Sequence, residues 1–287
     1  MISPRSRALL ERYTLVSRAL SRTSGERLAS EAGQSVEFHD FRPYGPGDEL
    51  RYVDWKVYGR TGRLYTRLYQ AERNIAVHTL LDSSPSMALG NKLPYARIVA
   101  QLLAYAAQGS AAQIHLFNGE TSQPLTGKQQ VPAAWSFIDD APELSGELPP
   151  STAIKNFALR SRFEAGTGLA LIISDLFDEE PLQKSLVALR ARKLDASFLQ
   201  LMSVSDLEPS EGRLEVVDAE SGARLTVGPD EVRAYRQAVA GFVERTRKTI
   251  LQAGFRYTLL RVGDETQEVL ERSAFAALIK AGILIRR

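Results

Sequence analysis

The stretch IAVHTLLDSSPSM (Ile75–Met87) begins as an apolar run and ends in an acid, three serines and a proline. A short apolar run bounded by turn residues reads as a strand buried on both faces. Beyond Met87 the chain keeps alternating between helix and strand patterns. KLPYARIVAQLLAYAAQ is an amphipathic helix and QIHLF (Gln113–Phe117) the next strand. TSQPLTG is a weak strand whose proline places it at a sheet edge. VPAAWSFIDD and TAIKNFALRSRF read as helices, and GLALIISD (Gly168–Asp175) is the most apolar strand in the chain. PLQKSLVALRARK is a helix, ASFLQLM a strand, and FRYTLLRV (Phe255–Val262) the last strand, between helices at Asp230–Gln252 and Glu265–Lys280. Strands separated by helices predict an α/β fold, a mostly parallel central sheet covered on both faces in a three-layer sandwich. A hairpin over 213–228, with Glu220-Ser221-Gly222 as its turn, interrupts the rhythm.

The first 74 residues have a different texture. Leu9, Tyr13, Val16 and Leu20 predict an opening helix by their spacing. From Ser35 to Asn74 the chain reads as short strand-like pieces separated by turns such as PYGPGD. The expected division is therefore a β-rich N-terminal region over 1–74 and an α/β domain over 75–287.

Composition narrows the function classes. The 287 residues carry 36 basic and 34 acidic side chains, a net charge of +2 that does not point to nucleic acid. Cysteine is absent, which excludes disulfides, thiolate metal sites and a cysteine nucleophile. No signal peptide and no apolar run long enough to insert in a membrane is visible, so the expectation is a cytoplasmic chain.

Two buried strands each end in an aspartate, Asp82 and Asp175. Ligands of open α/β sheets sit beyond the carboxyl ends of the strands, where strand order reverses. If the two strands are neighbours, both acids meet there. Asp82, Ser84 and Ser86 form D-x-S-x-S, in which alternate residues can point to one side. An all-oxygen set suits Mg²⁺, Mn²⁺ or Ca²⁺ and makes a poor zinc site. Thr152, at a helix start after LPPS, is a candidate for one more oxygen. The plainer reading is turn and cap chemistry, for which Ser and Asp are favoured anyway.

A nucleophilic serine has little support, since there are three histidines and no G-x-S-x-G elbow. Nucleotide-binding glycine motifs are also missing. The segment Arg42–Arg73 interleaves seven basic residues with six aromatic ones, but Asp48, Glu49, Asp54 and Glu72 within it favour internal ion pairs.

EFHDFRPYGPGDELRYVDWKVYGRTGRLYTRLYQAERN followed by LLDSSPSM resembles the bacterial domain-of-unknown-function family numbered 58. In that family an R-Y-x-P-G-D-x-x-R-x-I-D-W pattern precedes a von Willebrand factor A-like domain. The resemblance implies strand order 3-2-1-4-5-6 with an antiparallel edge strand. It also implies a metal-ion-dependent adhesion site (MIDAS) made by Asp82, Ser84, Ser86, Thr152 and Asp175, holding Mg²⁺. Where the family shows G-G-T-x-L before its threonine, this chain has LPPSTAI. The partner implied is a MoxR-type AAA+ ATPase. The function expected is a non-enzymatic, metal-dependent adaptor in complex assembly or maturation. Alternatives are a scaffold with a degenerate metal site that binds through the basic, aromatic N-terminal unit, and a metal-dependent hydrolase.

Overall fold

The computed structural model describes residues 1–16, 36–45, 48, 50–71, 76–108, 110–125, 127–142, 148–160, 168–178, 180–210, 214–217 and 224–286. The chain forms two compact units, one of Arg22–Asn74 and one joining Met1–Ser21 to Ile75–Arg287. The division expected at residue 74 is thus corrected at its start, since the N-terminal segment belongs with the α/β unit.

The opening helix is shorter than its spacing predicts. Helix α1 (Pro4–Leu10) is capped by Ser3, and the Glu271 carboxylate accepts the Ser3 N–H and the Ser3 and Ser6 hydroxyls. Strand β1 (Tyr13–Leu15) then pairs antiparallel with the C-terminal strand Leu284–Arg286. Pairing, together with burial of Leu10 and Leu15 in the core, outweighs helical periodicity across Tyr13 and Val16. Leu20 lies outside the described residues.

In the smaller unit, β2 (Val36–Pro43) pairs antiparallel with β3 (Tyr65–Ala71), with a register shift between Phe38 and Asp40. The PYGPGD turn is closed by Asp48, whose carboxylate accepts the Gly45 N–H at 2.9 Å. One expectation fails here. WKVYGRT is not strand-like but forms α2 (Trp55–Thr61). Asp54 caps it by accepting from Lys56 and Val57 N–H groups, and Gly62 ends it at φ 65°.

The α/β unit contains β4 (Ala76–Leu81), α3 (Lys92–Ala106), β5 (Ala111–Leu116), α4 (Val131–Asp139), α5 (Pro150–Arg160), β6 (Gly168–Ser174), α6 (Gln183–Ala191) and β7 (Asp195–Ser203). A short α7 (Val204–Leu207), the strands β8 (Leu214–Val217) and β9 (Arg224–Val227), α8 (Pro229–Gln252), β10 (Arg256–Val262), α9 (Gln267–Lys280) and β11 (Leu284–Arg286) complete it. The central sheet runs β10-β7-β6-β4-β5, with every pairing parallel. Thr121 and Leu125 add antiparallel bridges to β5, so the weak TSQPLTG segment does occupy the edge. This is the von Willebrand A-like order. The hairpin strands β8 and β9 pair as expected, and its Glu220-Ser221-Gly222 turn lies outside the described residues.

Alternation along β6 explains the three layers. Leu169, Leu171 and Ile173 face a core closed by α1, α3, α4 and α9, while Ala170 and Ile172 face one closed by α5, α6 and α8. Two-sided burial is why these strands read as unbroken apolar runs. Among the described residues no helix is long and apolar enough to cross a membrane.

Candidate metal centre

Sheet register brings the strand-end acids together. β4 and β6 pair from Ala76↔Gly168 to Leu81↔Ile173, and the Asp82 N–H extends the ladder to the Ile173 carbonyl at 3.0 Å. Asp82 therefore meets Ser174, with Asp175 one step beyond. The Ser174 hydroxyl donates to Asp82 Oδ2 and accepts the Leu176 N–H at 2.8 Å. Asp82 Oδ1 accepts the Ser84 N–H at 2.9 Å, so turn chemistry does hold this carboxylate. It does not account for the hydroxyls. Ser84 precedes a 3-10 turn (Pro85–Ala88) without capping it, and its Oγ instead lies 3.1 Å from Ser86 Oγ. Adjacent ligands at about 2.1 Å from an octahedral Mg²⁺ stand about 3.0 Å apart. The two hydroxyls already have that spacing.

Asp175 is engaged differently. Its Oδ2 lies 2.9 Å from Lys92 Nζ, its Oδ1 accepts the Phe177 N–H at 3.1 Å, and its carbonyl accepts from Gln200. Lys92 is 1 % exposed and also pairs with Asp206 at 3.1 Å. It is the first residue of α3, the end of a helix where positive charge is disfavoured. Two carboxylates hold it there against the helix dipole. Asp206 is itself fixed by reciprocal bonds with Ser203 at the start of α7. The loop delivering Lys92 passes very close to β7: Gly90 has φ 61°, and a Cβ there would collide with the Ser203 side chain. On the opposite side, Leu176 adopts φ 59°, a strained conformation for a branched residue directly after Asp175.

Electrostatics separate the two acids. Burial, then the neighbouring charge of Asp175, push the Asp82 pKa up to about 8, against hydrogen bonds from Ser174 and Ser84. Burial alone would lower the Lys92 pKa, but Asp175 and Asp206 outweigh it and raise the value. Asp175 and Asp206 thus flank one ammonium, and Asp82 adds its own charge beside Asp175. When all are ionised, two negative charges remain unbalanced, and a divalent cation is the simplest complement. The oxygen set fits such a cation.

Four of the five expected residues, Asp82, Ser84, Ser86 and Asp175, lie directly after β4 and β6. Thr152 is half-buried on α5 and makes no polar contact with the other four among the described residues. Its neighbour Ser151 donates its N–H to Asp178 Oδ2 at 2.7 Å, which ties the start of α5 to the loop after β6. The Ser151 hydroxyl is buried, in a residue 4 % exposed, with no hydrogen-bond partner among the described residues. Among the described residues no three His, Asp or Glu side chains are placed to hold a metal, so a cation here depends on hydroxyls.

Sequence reasoning missed Lys92, Ser174, Asp206 and Gln200. One signal was available: a lysine opening the helix in GNKLPYA is at the wrong end for its charge. His78 and His115 are core histidines as expected, 3.0 Å apart and packed on Phe157.

An uncharacterized protein of Mycobacterium bovis is 27% identical over 242 residues, covering 80% of this chain and 76% of that relative. One of Mycobacterium tuberculosis matches to the same extent. Among solved structures, an aerotolerance-related membrane protein from Bacteroides fragilis aligns at 16% identity and TM-score 0.41, covering 72% of this chain and 99% of that one. Proximal thread matrix protein 1 of the mussel byssus, with a zinc-occupied MIDAS motif, aligns at 12% identity and TM-score 0.36, covering 70% and 69%. Both structural likenesses are too distant to carry an argument about function. The family match is direct: residues 40–249 fit the family described as "Protein of unknown function DUF58", and the chain belongs to it.

Proposed function

We propose that the chain is a non-enzymatic protein-interaction module whose binding depends on a divalent metal at the carboxyl end of its central sheet. The observation that carries this reading is Asp82. It is 0 % exposed, its pKa is raised to about 8, and no cationic group is paired with it among the described residues. A buried carboxylate in that position calls for a proton or a cation. Asp82, Ser84 and Ser86 would hold the cation, with a hydroxyl from the start of α5, Ser151 or Thr152. Mg²⁺ is favoured by the oxygen set, and Mn²⁺ or Ca²⁺ share that preference. When bound, the cation supplies positive charge and an open position for an acceptor oxygen of a partner, such as a carboxylate. Ser174 fixes one oxygen of Asp82, and the Ser84 N–H fixes the other.

The partner that the family resemblance implies is a MoxR-type AAA+ ATPase, in an assembly or maturation role. Isothermal titration with Mg²⁺ and Mn²⁺ tests the site: the expected heat is lost in Asp82→Ala, and identical heats in both proteins would remove the metal from the proposal. Capture of the ATPase should then be abolished by EDTA.

A second reading rests on the smaller unit. Trp55 is 58 % exposed and stands edge-on to the exposed Tyr58 at 6.1 Å on α2, an aromatic pair open to a partner. Capture that survives EDTA but fails in Trp55→Ala would favour this scaffold over the metal-dependent module. Hydrolysis has weaker support. The imidazoles of His78 and His115 sit inside strands, with burial lowering their pKa values to about 3 and about 4.

A further inference from the structure

The strand-end acids and Lys92 define a feature that the proposed metal site does not explain. We infer that Lys92 is an internal cation that withholds Asp175 from the metal, so that the site is kept short of one carboxylate ligand and leaves that place to a partner. The inference rests on the metal-site reading for its purpose, but on the geometry of Lys92 for its substance.

The Lys92 ammonium is 2.9 Å from Asp175 Oδ2 and 3.1 Å from Asp206 Oδ2, and it lies 5.4 Å from the centre of the Phe177 ring. The other Asp175 oxygen accepts the Phe177 N–H. Both oxygens of Asp175 are therefore committed to the protein. Asp82, by contrast, has hydrogen bonds among the described residues from neutral donors only, the Ser174 hydroxyl and the Ser84 N–H. An ammonium at the first position of a helix, almost wholly buried, is a costly placement. It is stabilised there by Asp175, directly after β6, and Asp206, on the short α7 that follows β7. Divalent-cation affinity depends on how many charged ligands a site offers and how rigidly it holds them. Holding Asp175 on Lys92 removes one ligand charge, so the metal alone is bound weakly. A partner acid restores the missing charge, and metal and partner then bind cooperatively, each raising the affinity of the other.

Lys92→Met frees Asp175 and removes a positive charge next to the site. Mn²⁺ binding to this variant, read by titration calorimetry or electron paramagnetic resonance, should be at least about tenfold tighter than to wild type. Affinity equal to or below that of wild type overturns the inference. The charge-conserving pair Lys92→Met with Asp175→Asn guards against misfolding of the single variant. It should fold by circular dichroism and hold Mn²⁺ within about threefold of wild type, because neither residue is a ligand. A collapse of binding in the pair would make Asp175 a direct ligand and also overturn the inference. Should wild type bind no Mn²⁺ while Lys92→Met does, Lys92 is upheld as the site's own cation and the metal-dependent function fails separately.

Discussion

The ends of β4 and β6 make an instructive pair. Both strands are apolar, they are hydrogen-bonded neighbours, and each delivers one fully buried aspartate to the same end of the sheet. Yet among the described residues Asp175 meets an ammonium, and Asp82 meets only hydroxyl and amide donors. The same residue type, on neighbouring strands but one register step apart, is neutralised in one place and left needing a proton or a cation in the other. Burial by itself does not make a site. What matters is which charges arrive from elements elsewhere in the chain.

Breaking the neutralised side should have the largest effect. Among the described residues, Asp175→Ala leaves the buried Lys92 with only Asp206, itself 17 % exposed, as its counter-charge. The expected loss is about 3 kcal/mol in chemical denaturation. Asp82→Asn, at pH 7 and without metal, should stay within about 1 kcal/mol of wild type or above it, because it removes a carboxylate that burial and Asp175 both oppose. Equal losses in the two variants would erase the contrast.

The pH dependence sharpens the same comparison. In the folded chain the Asp82 pKa rises from 3.8 to about 8, so between those values the folded state holds a proton that the unfolded state has released. Stability therefore falls as pH rises through this window. His78 and His115 act with the opposite slope below their ordinary 6.5: lowered to about 3 and about 4, they make the folded state lose stability as pH drops. Of these three groups, only Asp82 changes stability across the window from 6.5 to 8. Thermal melts in EDTA should decline across it for wild type and stay flat for Asp82→Asn.

The smallest effect concerns α5. Ser151→Ala should weaken Mn²⁺ binding, whereas Thr152→Ala should leave it unchanged, since the buried hydroxyl without a partner belongs to Ser151. The reverse order would restore Thr152 to the site.

Much of this was legible before folding. Apolar runs marked the strands, and their turn residues marked the strand ends. The D-x-S-x-S spacing proposed the hydroxyl pair, and the N-terminal motif named the family. Other parts were not. Periodicity carried the first helix past Leu10, because nothing local tells Tyr13–Leu15 that Leu284–Arg286 will pair with it. WKVYGRT reads as strand-like, but the structure makes it a helix capped by Asp54 and ended by Gly62.

The sequence by itself determined the alternation of elements, the two acids at strand ends, and the serines beside one of them. Local pattern suffices for these, because side-chain period and turn preference act over a few residues. Only the tertiary structure decided that Asp175 belongs to Lys92, 83 residues away, and that Asp206 closes the pair. An ion pair of that span leaves no periodic trace in sequence. It exists because parallel strands bring their ends to one place, and there the balance of buried charge is settled.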